Sequence, residues 1–264
     1  MSALELVVYL ATGALAGLLA GLLGVGGGVI MVPVLILVFM SLGLTAHWIP
    51  HLAVGTSLAT IVGTGLASVW AHQRRGAVRW DLTWRLAPGL VIGAWLGAAL
   101  AGWLPALWLK RIFAIFLLIV GLRMIWPRSV HSASTLPGPA GLFAAGSGIG
   151  ALSALVGIGG GTLTVPLLAR GGIDLRRAVA TASACGLPIA LAGATGFMLV
   201  GWGRDGLPAA STGFVYWPAV AAMLVASIPT APLGAHLAHT LPVTLIKRFF
   251  GLLLMLVAAR LLFA

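Results

Sequence analysis

Gly24-Val25-Gly26-Gly27-Gly28-Val29-Ile30-Met31-Val32-Pro33 decides the reading of this chain, because it occurs twice. It returns as Gly157-Ile158-Gly159-Gly160-Gly161-Thr162-Leu163-Thr164-Val165-Pro166, an offset of 133 (157 − 24). The offset holds in the flanks, where Gly13, Gly17, Leu19 and Leu22 meet Gly146, Gly150, Leu152 and Leu155. Each copy is an apolar run, a glycine break and a second apolar run ending the match in Val-Pro. Three consecutive glycines uncouple two helices, since glycine is costly in a helix interior and enters φ > 0 freely. In a bilayer such a break bares backbone N–H groups, which must face protein, water or a ligand. Glycine-interrupted segments at matching places in two halves point to the binding site of a transporter.

Outward from the motif, the chain reads as membrane throughout. Of its 264 residues 61% are hydrophobic and 7% charged, with mean hydropathy +1.13. A soluble domain carries about 25% charge. Apolar runs near the length of a bilayer core recur to the C-terminus. The reading is an all-α, polytopic helical membrane protein with five segments per half. They are 3–23, 29–43, 53–72, 83–104 and 111–126, then 139–156, 162–172, 178–201, 216–241 and 249–263. The segment 162–172 is too short to span alone and is expected to extend toward Asp174 or to form half of a re-entrant hairpin.

The duplication continues beyond the breaks. Ala53-Val54-Gly55-Thr56-Ser57-Leu58 matches Val179-Ala180-Thr181-Ala182-Ser183-Ala184 at offset 126 (179 − 53). Leu96-Gly97-Ala98 and Lys110-Arg111 match Leu233-Gly234-Ala235 and Lys247-Arg248 at offset 137 (247 − 110). The units are a first transmembrane repeat, 1–128, a linker, 129–138, and a second transmembrane repeat, 139–264.

Charge decides between two topologies. If each break leaves an odd number of crossings per half, the second half is inverted. With loop 74–79 in the cytoplasm, every Lys and Arg except Lys110, Arg111, Arg204 and Arg260 then falls inside, 11 of 15. If each break merely interrupts one crossing, giving eight spans, the split is 8 against 7 of the same 15. The positive-inside rule favours inverted 5+5 repeats with both termini outside, and eight spans stand as the alternative. The net charge of +11 thus sets topology, and no nucleic acid is expected as a partner. No Lys or Arg precedes Arg74, so a cleaved secretory leader is not expected.

Few residues could carry chemistry. The acids are Glu5, Asp81, Asp174 and Asp205, none in mid-span, which argues against a carboxylate proton relay and suits an anionic substrate. One cysteine, Cys185, permits no disulfide. No Gly-x4-Gly-Lys-Ser/Thr is present, and no strand or acid supports a dinucleotide fingerprint around Gly24, so neither an enzyme nor a cofactor or metal is expected. The candidate substrate-binding residues are Gly26, Gly27, Gly28, Thr56, Ser57, Gly159, Gly160, Gly161, Thr162, Thr181 and Ser183. The helix after each break starts with bare amides and a partial positive charge, which suits an oxyanion. Thr162 and Thr164 add hydroxyls in the second copy, where the first has Val29 and Met31. The alternative reading of the glycines is close helix packing, and of the hydroxyls helix–helix hydrogen bonding. His236 falls near a span end, where snorkelling or a helix–helix hydrogen bond is its expected use. Tryptophans at segment ends form an aromatic belt.

These motifs resemble the TauE/SafE family of sulfite exporters, also called sulfonate uptake permeases, over nearly the whole chain. The resemblance rests on both glycine motifs, on 53–58 and on Arg177-Ala178-Val179-Ala180-Thr181-Ala182-Ser183. It implies a carrier of sulfite or an organosulfonate, multi-pass in the bacterial inner membrane, with the small anion and the bilayer as partners. Thr181-Ala182-Ser183 departs from the Gly-Thr-Ser of the first half. Lack of membrane carboxylates favours export; coupled uptake of a sulfonate and an anion channel are the alternatives, and a homodimer is left open.

Overall fold

The computed structural model describes residues 2–24, 26–44, 46–126, 136–240 and 243–263, with side chains of 238–249 and 263 left aside. Most of the expected linker, Arg128 and the side chains of Lys247 and Arg248 lie outside that description. The described chain contains ten helices: α1 (Ala3–Leu23), α2 (Gly28–Ser41), α3 (Ile49–Gln73), α4 (Trp80–Trp103), α5 (Ala106–Ile125), α6 (Pro139–Val156), α7 (Gly161–Arg170), α8 (Leu175–Val200), α9 (Trp217–Thr240) and α10 (Val243–Phe263). The chain is a polytopic helical membrane protein. Six of these helices are long and apolar enough to cross a membrane: α1, α3, α4, α6, α8 and, over Trp217–Leu237, α9. The apolar segments match the helices closely except at α5 and α10, which begin at Ala106 and Val243, earlier than the expected 111 and 249.

One feature was not expected. A two-stranded antiparallel hairpin, β1 (Ser211–Thr212) and β2 (Val215–Tyr216), stands between α8 and α9. Its tip, Phe214, is fully buried. The run 201–216 reads as a polar loop because one buried aromatic between glycines makes no periodic pattern.

Local chemistry starts and stops the helices. Ser2 and Glu5 form a capping box at α1. Asp174 accepts from the Arg176 N–H at α8. The helix α1 ends at Gly24 (φ 68°) and α2 begins after Gly27 (φ 77°); α6 ends at Gly157 (φ 73°) and α7 begins after Gly160 (φ 74°). These four positions are the αL turns the glycine motif exists to provide, and residue for residue they share the offset of 133. At 14 and 10 residues, α2 and α7 reach about 21 and 15 Å, short of a roughly 30 Å core.

Packing crosses between the halves. A side chain at Gly13, Gly17 or Gly21 of α1 would run into Met223, Ser227 and Ala231 of α9. Both series ascend, so these helices are parallel, nearly backbone to backbone. Gly89, Gly93 and Gly97 of α4 meet Phe143, Ser147 and Ala151 of α6 in the same way. The two contacts correspond: Gly146 meets Leu86 as Gly13 meets Met223, at offsets 133 (146 − 13) and 137 (223 − 86). In α3 and α8 the numbers run oppositely, with Ser68 on Ser183, Gly65 on Leu187 and Leu58 on Gly193. Ala98 meets Gly196 and Gly102 meets Val200, so α4 and α8 are parallel. Gly63 meets Leu224 and Thr64 meets Ser227, so α3 and α9 are parallel; hence α1, α3 and α9 run one way, and α4, α6 and α8 the other. Small residues allow this approach where lipid offers no hydrophobic drive for helix association.

Candidate functional site

The two glycine breaks, 133 residues apart in sequence, touch. A Cβ on Gly26 would lie 3.1 Å from the Gly159 Cα, and one on Gly28 would strike the Gly157 carbonyl. The Ser57 hydroxyl donates to that same carbonyl at 2.9 Å. Opposite, a Cβ on Gly186 would lie 2.7 Å from the Gly159 carbonyl. The breaks are sandwiched between α3 and α8, and Gly27, Gly28, Gly159, Gly160 and Gly161 are all buried. Neither α2 nor α7 has a side-chain N-cap, because the cap residue is glycine in both. Two helix N-termini therefore begin at the touching breaks, each with its partial positive charge.

The hydroxyls expected at the site are largely engaged with protein. Thr56 Oγ1 accepts from the Tyr216 N–H at 3.0 Å, and Thr181 Oγ1 from the Arg79 N–H at 3.1 Å. Tyr216 and Arg79 correspond at offset 137 (216 − 79), each standing one residue before its helix, α9 or α4. The two bonds lie at opposite ends of the bundle with matching donors, their threonine acceptors one residue apart in register, since Thr181 aligns with Gly55. Each ties an entering loop of one half to the central helix of the other. Ser183 donates to the Val179 carbonyl at 3.1 Å and lies 3.4 Å from Ser68 Oγ. Thr162 is the exception among these hydroxyls, with its Oγ1 buried and unpaired.

The two ends are closed unequally. Beyond Thr56, Phe214 sits over α3 with its ring centroid 5.1 Å from both Trp48 and His51 and 6.5 Å from Phe197. The Arg204 guanidinium covers Trp48 at 5.4 Å. At the other end the position matching Phe214 is Ala77, buried with Val78 against Ala180 and Ala184. Between this thinner closure and the breaks lies a cavity of about 10 Å³, lined by Gly24, Gly26, Ser68, Gly159, Ser183 and Gly186 among others. That is room for about one water molecule and too little for an oxyanion.

Sequence reasoning missed Ser68, Ser153 and the hairpin. Ser153 was legible as a polar residue aligned with Ala20 at offset 133 (153 − 20). His236 on α9 bonds to a loop, not to a helix: its Nδ1 lies 2.8 Å from the guanidinium of Arg75, in the turn that follows α3. All four acids sit at helix ends or in loops, and Asp81 pairs with Arg79 at 2.7 Å. No group of three metal-ligating side chains occurs among the described residues.

The family model for the sulfite exporter TauE/SafE matches residues 9–261. The chain belongs to the TauE/SafE family. A probable membrane transporter protein of Haemophilus influenzae is 34% identical to this TauE/SafE protein over 254 residues, 96% of each chain. One from Xylella fastidiosa is 31% identical over 265 residues, covering 98% of this chain and 95% of the relative. The probable membrane transporter protein YdhB of Bacillus subtilis is 25% identical over 240 residues, 88% and 90% of the two chains. No solved structure matches. The TauE/SafE chain is thus a multi-pass membrane transporter, and its touching glycine breaks are the candidate site.

Proposed function

We propose that this transporter moves a small sulfur-containing anion, sulfite or an organosulfonate, outward across the bacterial inner membrane. The observation that carries the reading is the meeting of the two breaks, which brings two uncapped helix N-termini to one buried place. Helix N-termini bind oxyanions through amides and dipole. With no acid in mid-span there is no carboxylate to bind a coupling cation, and an inside-negative potential drives an anion outward by about 2.3 kcal/mol per charge per 100 mV.

The halves act as inverted repeats about an axis in the membrane plane. In support, the matched helices α3 and α8 are antiparallel, and the matched pairs α1–α9 and α6–α4 point opposite ways. Alternating access then exchanges two closures, Thr56 with Tyr216 at one end and Thr181 with Arg79 at the other. The end bearing loop 74–79 and the start of α8 faces the cytoplasm, since it gathers Arg74, Arg75, Arg79, Arg176 and Arg177.

Proteoliposomes loaded with sulfite, methanesulfonate, sulfoacetate, sulfate or chloride test this. Saturable efflux of sulfite or a sulfonate, with counterflow and acceleration by an inside-negative potassium diffusion potential, is expected. Flux that ignores the potential and follows a proton or sodium gradient would establish coupled uptake instead. Flux without saturation or counterflow would establish a channel.

A further inference from the structure

Three hydroxyls at the N-terminus of α7 are buried without a partner: Ser153 Oγ, Thr162 Oγ1 and Thr164 Oγ1. Ser153 and Thr164 are 1% and 0% exposed. Ser153 Oγ lies 3.3 Å from where a Cβ on Gly160, the N-cap of α7, would stand. Thr162 and Thr164 belong to the first turn, where the Thr164 N–H bonds back to the Gly160 carbonyl at 2.9 Å. Thr164, four residues after Gly160, shares the face that Ser153 meets, whereas Thr162 projects from another.

Buried hydroxyls in proteins are normally paired, and three exceptions at one helix end are an unmet demand for an acceptor. Thr164 could bond its own i−4 carbonyl, as Thr60 and Thr64 do on α3, yet it does not. Hydroxyl donors beside uncapped amides suit a ligand that only accepts.

The first repeat has no such set. The corresponding residues, 133 earlier, are Ala20, Val29 and Met31. There the start of α2 abuts the Gly157 carbonyl, to which Ser57 also bonds. One helix end thus lies against a backbone carbonyl, while the other keeps free hydroxyl donors. The cradle includes no cationic side chain, and a helix end carries about half a unit charge, which suits one negative charge better than two.

We propose that the second repeat alone holds the oxyanion, in a cradle of Ser153, Thr164 and the N-terminal amides of α7 that takes a singly charged sulfonate or bisulfite. The proposal rests on the reading of the glycine breaks as the substrate site. It makes the site chemically one-sided although the fold around it is repeated.

Binding to the purified full-length chain tests it, with methanesulfonate and nitrate as monoanions and sulfate as the dianion. Ser153→Ala and Thr164→Val should each raise the Kd for methanesulfonate by about tenfold, the loss of one hydrogen bond to a charged group. Thr164→Ser, which keeps the hydroxyl, should restore wild-type Kd and control for folding. Thr12→Val, which removes a hydroxyl already bonded to the Val8 carbonyl, should leave Kd unchanged. Unchanged Kd in Ser153→Ala and Thr164→Val, an equal loss in Thr12→Val, sulfate binding as tight as methanesulfonate, or no monoanion binding to wild type would each overturn the cradle. The two readings separate cleanly. Sulfite flux in wild type with unchanged Kd in the variants sinks the cradle alone. Nitrate binding that depends on Thr164 without transport of any sulfur anion sinks the substrate assignment alone.

Discussion

At the scale of the residue, the glycines of the breaks do two different jobs. Gly27 and Gly160 hold αL turns, at φ 77° and 74°. Gly28 makes room for a neighbouring carbonyl. By volume alone Gly27→Ala is a mild change. The geometry says otherwise, because the methyl would sit 2.7 Å from the Ala16 carbonyl oxygen in a backbone conformation that costs an L-residue roughly 1–2 kcal/mol. At Gly160 the nearest obstacle is the end of the flexible Ile189 side chain, which can move. Gly27→Ala should therefore lower thermal stability in detergent more than Gly160→Ala does, by several degrees in Tm. Gly27→Leu and Gly160→Leu should both abolish flux in protein that still inserts. A Gly160→Leu variant that is folded, transports normally and keeps its anion-induced thermal shift would remove this glycine from the site.

At the scale of the element, function turns on what closes each end of the central helices. Thr56→Val strands the Tyr216 N–H, and Thr181→Val strands the Arg79 N–H. Stranding a part-buried donor costs up to about 1 kcal/mol, enough to shift a balanced equilibrium toward opening on the affected side. Cysteines placed beside each closure should report it. Thr56→Val should speed labelling from the hairpin side only, and Thr181→Val from the side of loop 74–79 only. Phe214→Ala should act like Thr56→Val and more strongly, because it removes a fully buried aromatic that meets Trp48, His51 and Phe197. Labelling that rises equally on both sides in every variant would mean general loosening, with no separate gates.

At the scale of the whole molecule, the basic loops make the topology testable. The Arg79–Thr181 bond puts the starts of α4 and α8 at one end of the bundle. Single cysteines in loops 74–79 and 171–174 should both react only with a cytoplasmic reagent, and one in 204–210 only with an external one. Labelling of the first two from opposite sides would remove the inverted arrangement and restore eight parallel spans. The exposed leucines and tryptophans around the bundle, such as Leu96, Leu100, Trp103 and Leu256, face what the composition already required, the acyl chains of a bilayer.

Much of this was written in the order of residues. Apolar run length determined that the chain crosses a membrane, because a bilayer core admits little else. Triple glycines at one offset determined where helices break, since αL backbone is cheap only for glycine. The repeat and its family were legible for the same reason: duplication preserves spacing. What the sequence could not reveal is which atoms meet. Thr56 and Ser57 are neighbours in the chain, yet one accepts from a distant loop and the other donates to the second break. The hairpin plug depends on Phe214, whose burial comes from α3 and α8 and leaves no periodic trace in its own loop. Ser153, Thr162 and Thr164 read as ordinary helix hydroxyls until folding removes water without supplying acceptors. Only the tertiary structure decides that, because a hydroxyl's need for a ligand is set by the partners it lacks in space.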